Sequence, residues 1–74
     1  MCARRMLIHF AEHLGKDYID GCIREIKEMG GSVKQQDELT ISINIVKRRN
    51  YQFVVQFLRQ EERVGNLRLE AVDE

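Results

Sequence analysis

Leu39-Thr40-Ile41-Ser42-Ile43-Asn44-Ile45-Val46 is the stretch around which the rest of the chain must organise. Leu39, Ile41, Ile43 and Ile45 alternate with Thr40, Ser42 and Asn44. Successive side chains of a strand point to opposite faces, and β-branched residues suit a pleated surface. The stretch therefore reads as a central strand with one apolar and one polar face. A strand of this kind needs neighbours on both sides, and that requirement guides the reading outward.

Upstream, residues 4–11 are ambiguous by period alone. Met6, Ile8 and Phe10 alternate with Leu7, His9 and Ala11, as in a strand. Ala3, Met6, Leu7, Phe10, Ala11 and Leu14 also fit a helical stripe that Gly15 would stop. The need of strand 39–46 for partners decides for a strand. Residues 17–29 are expected to be a helix, with Asp17 as N-cap and Asp20 in the first turn near the positive helix end. Ile19, Cys22, Ile23, Ile26 and Met29 supply its buried stripe. Gly21 is a weak point in that helix, and Gly30-Gly31 ends it, one of the two taking a left-handed conformation. Residues 32–36 read as a short polar edge strand, and 35–38 as the turn into the central strand. Asn50 is expected to cap a second helix over 51–62, with Tyr51, Val54, Val55 and Leu58 inward, Phe57 at the margin and Phe53 facing out. Residues 63–66 form a turn, and Leu67, Leu69 and Ala71 alternate with Arg68, Glu70 and Val72 in a last strand.

The order strand, helix, strand, strand, helix, strand is the split βαβ pattern of α+β, ferredoxin-like βαββαβ domains. It predicts a four-stranded antiparallel sheet with two helices on one face, as a single domain over residues 1–74. The first and third strands would lie in the middle, where the two most apolar strands fall.

Composition bounds the function. A domain of 74 residues has a thin core, so association would add burial that a monomer lacks, and a homo-oligomer, most simply a homodimer, is expected. Twelve Lys+Arg balance 12 Asp+Glu, which argues against a strong, sequence-blind nucleic-acid binder. No apolar run approaches the roughly 20 residues of a membrane helix, and the run after Arg4-Arg5 lacks the cleavage site of a signal peptide. Cys2 and Cys22 make no disulfide framework, which points to a reducing, cytoplasmic setting.

The uncovered sheet face would carry Leu7, His9, Thr40, Ser42, Asn44, Arg68 and Glu70. It has none of the aromatics on which RNA-binding sheets stack bases. Thr40, Ser42 and Asn44, with the exposed Phe53, are interface candidates. Topology would gather Arg4, Arg5, Lys34, Lys47, Arg48 and Arg49 at one end, beside the Asn50 helix start, as a candidate anion or nucleic-acid site. The other end would gather Glu12, Asp17, Asp20, Asp37, Glu38, Glu61 and Glu62. His9-Phe10-Ala11-Glu12-His13 spells H-x-x-E-H, but that metal motif requires a helix, and here it begins in a strand. No metal, cofactor or catalytic residue is expected. No glycine-rich phosphate loop, CxxC pair or nucleophile elbow occurs.

Around Glu12-His13-Leu14-Gly15-Lys16-Asp17-Tyr18-Ile19 the chain resembles ACT-type regulatory modules. His13-Leu14-Gly15 stands where those modules have a glycine-containing loop before the first helix. Ile23, Ile26, Glu28, Gly30, Gly31 and Val33 approximate the family's I..I.E.GG.V ending, and Val64-Gly65-Asn66-Leu67 its approach to the last strand. The resemblance implies pairing through sheet edges or faces. It also implies a small ligand near Leu14, Gly15 and the first-helix N-terminus, whose N–H groups would hold a carboxylate. His9 and Arg68 are further ligand-binding candidates on the sheet. The expectation is a non-enzymatic, self-associating regulatory or scaffolding module that binds a small polar molecule. The alternatives are a nucleic-acid accessory domain using the basic end and, well behind, a small enzyme using His9.

Overall fold

In the computed structural model, residues 4–72 are described, with side chains described for 5–70. The elements are β1 (Arg4–Phe10), α1 (Lys16–Glu28), β2 (Gly31–Gln35), β3 (Thr40–Ile45), α2 (Arg48–Arg63) and β4 (Leu67–Val72). They form a four-stranded antiparallel sheet in the order β2-β3-β1-β4, with two helices against one face: a ferredoxin-like α+β fold.

The alternation in β3 appears directly as burial. Ile41, Ile43 and Ile45 are fully buried, while Thr40, Ser42 and Asn44 lie half-buried on the other face. Residues 4–10 are a strand, and the sheet explains the choice over a helix. Met6 and Ile8 lie opposite Ile43 and Ile41 in β3, and opposite Ala71 and Leu69 in β4. Met6, Ile8 and Phe10 thus enter one core with the β3 isoleucines, Ile19, Cys22 and Ile26 of α1, Val54 and Leu58 of α2, and Leu67. A helix over the same residues would leave β3 without a central neighbour.

Two helix starts differ from expectation. The N-cap of α1 is Gly15 rather than Asp17, and that of α2 is Lys47 rather than Asn50. Both caps have extended backbone and make no side-chain hydrogen bond. Asp17 falls in the first turn, where its charge still suits the helix dipole. Asn50 instead lies inside α2, half-buried, with its amide over Gly30. The helix therefore begins at Arg48, two residues before the capping candidate Asn50.

The Gly30-Gly31 pair is required by both backbone and space. Gly30 has a φ of 97°, and a Cβ there would lie 2.3 Å from Asn50 Nδ2. A Cβ on Gly31 would lie 2.8 Å from Ile26 Cγ2. Gly21 meets nothing within 4 Å, so no close packing explains it.

Candidate functional site

Among the described residues, basic side chains gather at one end of the sheet and acidic ones at the other. Arg4 and Arg5 at the start of β1 pair with Ile45 and Asn44 at the end of β3, close to the start of α2. Exposed Lys47, Arg48 and Arg49 join them there, on a helix start with no acidic residue in its first turn. Lys34 does not belong to this end. The β2–β3 register sets it opposite Ser42, within the open face of the sheet. The ladder starts at Gly31 opposite Ile45 and reaches Lys34 three residues later, away from the end where β3 finishes.

Several acids at the opposite end are engaged in holding elements together. Tyr18 of α1 donates its hydroxyl hydrogen bond to Glu61 of α2. Asn66 Nδ2 donates to Glu61 Oε1 at 3.0 Å and to the Tyr18 hydroxyl at 3.3 Å. The Leu69 N–H donates to Glu62 Oε2 at 3.1 Å. The Leu39 N–H donates to Asp37 Oδ1 at 2.9 Å, and this bond, with contacts from Thr40, holds the Asp37 carboxyl below the usual carboxylate range. Nothing local in the sequence announces the Tyr18–Glu61–Asn66 cluster, because it joins α1 to the end of α2 and the turn that follows. Among the described residues no group of three His, Cys, Asp or Glu is placed to hold a metal. His9 lies in β1 and His13 in the following turn, so the H-x-x-E-H residues do not share a helix face.

At the acidic end, between the start of α1 and the β2–β3 hairpin, lies a groove of ≈ 290 Å³. Leu14, Ile19 and Leu39 give it apolar walls; Lys16 brings a cation, Asp20 and Glu38 bring carboxylates, and Gln35 an amide. Gly15 is the adjoining N-cap, and a Cβ there would meet nothing within 4 Å. The Leu14–Gly15 position is the one the sequence singles out. The hairpin residues Gln35, Glu38 and Leu39 that complete the groove were not anticipated, because they join it only through the fold.

His9 and Arg68 sit elsewhere, paired in register on the sheet face away from the helices. Across one row of that face run Thr40, His9 and Arg68. His9 Nε2 is 2.8 Å from Glu70 Oε1, and Thr40 Oγ1 lies 3.5 Å from His9 Nδ1, at the outer limit of a hydrogen bond. The next rows are Lys34–Ser42–Leu7–Glu70 and Ser32–Asn44–Arg5. Asn44 Oδ1 is buried there without a hydrogen-bond partner. Such an unmet group costs about 1–3 kcal/mol. Phe53 is 59% exposed on α2. It therefore belongs to the helix layer, not to the surface that presents Thr40, Ser42 and Asn44.

Cys22 is a free thiol in the core. Burial, and secondarily the Glu25 carboxylate, pushes its pKa up, which disfavours the nucleophilic thiolate. Cys2 lies outside the described residues. Among the described residues no helix is long and apolar enough to cross a membrane.

No protein-family model matches the chain, and no curated protein matches its sequence. Among solved structures the chain is similar to a hypothetical protein from Neisseria gonorrhoeae, with a TM-score of 0.65 at 19% identity over 92% of this chain. The similarity covers 45% of that protein, so the chain spans less than half its length. At this identity the likeness shows the fold alone, and the fold shared is the ferredoxin-like one described above.

Proposed function

We propose that the chain is a non-enzymatic, self-associating regulatory or scaffolding module of ACT-like type that takes a small zwitterionic ligand in the groove beside Gly15. The observation that carries this reading is the groove's composition. Lys16 and the α1 N-terminus favour a carboxylate, Asp20 and Glu38 favour an ammonium, and Leu14, Ile19 and Leu39 offer an apolar wall. An amino acid presents those three features together.

Thermal unfolding against a panel of amino acids tests it. At about tenfold excess over Kd a ligand adds roughly 1.4 kcal/mol, a rise of roughly 5–10 °C in Tm for a domain of this size. A Cβ at Gly15, which stands between the lining residues Leu14 and Lys16, meets nothing within 4 Å, so Gly15→Phe places bulk beside the groove. It is expected to leave the fold intact and to abolish the rise. A rise of equal size in Gly15→Phe places the ligand elsewhere.

Self-association draws support from an inequality between the sheet edges. Hydrogen bonding of Gln36 N–H to Thr40 turns the even-numbered residues of β2 toward β3. Gly31, Val33 and Gln35 therefore offer their backbone groups outward. On β4 the outward N–H of Leu69 is already taken by Glu62. Pairing through β2 follows, since an unpaired edge is a template for another strand. Gln35→Pro removes an outward N–H at an exposed position and leaves the ladder to β3 alone. Sedimentation is expected to show the wild type as a dimer and Gln35→Pro as a monomer. A dimer of unchanged strength in the variant excludes this edge.

A second reading, a nucleic-acid accessory domain, rests on Lys47, Arg48 and Arg49 around the uncapped start of α2, with Arg4 and Arg5 nearby in the sheet.

A further inference from the structure

We infer that the ligand held in the groove beside Gly15 is an amino acid with a cationic side chain, an assignment that rests on the amino-acid reading given above. The groove carries one cation and two carboxylates, Lys16 against Asp20 and Glu38. Among the described residues none of these three side chains is engaged in a hydrogen bond or an ion pair, so all three are available to a ligand. An amino acid with a neutral side chain brings one carboxylate and one ammonium, and it leaves one acid of the groove unmet. A second ammonium on the ligand completes the set.

The placement of the charges gives each a role. Lys16 and Asp20 are four residues apart on α1 and so are neighbours on one helix face. The α-carboxylate and α-ammonium of an amino acid are also neighbours, and Lys16 and Asp20, with the α1 N-terminus, take that end of the ligand. Glu38 stands on the other side, on the β2–β3 hairpin, where it meets the distal cation. The hairpin supports that role. Residues 35–39 are Gln, Gln, Asp, Glu and Leu, with no cation among them. The Leu39 N–H donates to Asp37 Oδ1 at 2.9 Å, and this bond holds the carboxyl next to Glu38 in its ionised form at neutral pH. Gln35 Nε2 donates to the Asp37 carbonyl at 2.8 Å, which leaves the Gln35 side-chain oxygen to accept from an ammonium. Leu14, Ile19 and Leu39 offer the apolar surface along which a methylene stem lies while its charged head stays in water.

Amide chemical-shift titration of the whole chain with lysine, norleucine and cadaverine tests the assignment. Norleucine is lysine without the distal ammonium, and cadaverine is lysine without the carboxylate. Lysine is expected to shift the amides of residues 14–20 and 35–39 in a saturable way. It should bind about three- to fivefold tighter than norleucine, the factor that an exposed ion pair gives. Cadaverine should bind more weakly than lysine, because it leaves Lys16 without a partner. Glu38→Gln and Asp20→Asn both fall at exposed positions and keep the fold. Glu38→Gln is expected to bring lysine down to the affinity of norleucine and to leave norleucine unchanged. Asp20→Asn should weaken both by a similar factor. Equal binding of lysine and norleucine to the wild type, with both lost in Gly15→Phe, overturns the cationic side chain and leaves the amino-acid site standing. Saturable shifts from neither, or shifts unaltered in Gly15→Phe, remove the amino-acid site and this assignment with it. A preference for lysine that survives in Glu38→Gln overturns the role of Glu38. Cadaverine binding as tightly as lysine overturns the amino acid in favour of a polyamine.

Discussion

Ile43→Ala is expected to lower the unfolding free energy by about 2–5 kcal/mol, the range for truncating a buried isoleucine. Ile43 is fully buried. It lies opposite Met6 in β1 and Val33 in β2, so its side chain sits at the middle of the sheet beneath the helix layer. The sheet around it is fixed by two ladders and cannot collapse onto the space left behind. For a chain of 74 residues the total stability is of order 4–11 kcal/mol, so the loss is a large fraction of the whole. Thermal unfolding followed by circular dichroism should show Tm falling by roughly 10 °C or more. Ser42→Ala, one residue away on the opposite face, should stay within about 0.5 kcal/mol of wild type. Equal effects of the two substitutions would contradict the assignment of faces.

Gly30→Ala is expected to cost about 2–3 kcal/mol, from two separable sources. A left-handed conformation costs an alanine about 1–2 kcal/mol relative to glycine. The new methyl also meets the Asn50 amide, with Cγ at 3.0 Å as well as Nδ2 at 2.3 Å. That amide is the end of a side chain and can be removed. In an Asn50→Ala background the cost of Gly30→Ala should fall to the backbone part alone. The double-mutant cycle, read by urea denaturation, reports the difference as a coupling energy. A coupling of zero would mean that Asn50 does not press on Gly30.

The fold was legible because sequence signals at different levels agreed. β3 carries a strict period of two, α1 a stripe of Ile19, Cys22 and Ile26, and Gly30-Gly31 a stop that the left-handed Gly30 realises. The ambiguous residues of β1 were settled by the demand of β3 for a neighbour, and the register with Ile41 and Ile43 meets it. The helix starts were not legible. Gly15 and Lys47 cap by backbone conformation alone, and nothing in their side chains marks them above Asp17 or Asn50. The groove was legible in part. Leu14 and Gly15 were visible as a loop before a helix, but Gln35, Glu38 and Leu39 reach them only through the hairpin. Lys34 was assigned to the basic end because strand register is not written in residue type; only the ladder with Ser42 sets it on the open face.

The Glu62 bond to Leu69 bears on the size any assembly can reach. If two copies join through β2, the combined sheet has twice four strands, and each outer margin is a β4 whose Leu69 N–H is already occupied. Such a sheet offers a third copy no open margin of the β2 kind. The contact is isologous, with the same strand on both sides of a two-fold axis, and it closes on itself. On that proposal the Glu62 carboxylate withholds one of the backbone donors on β4 that a further strand would need.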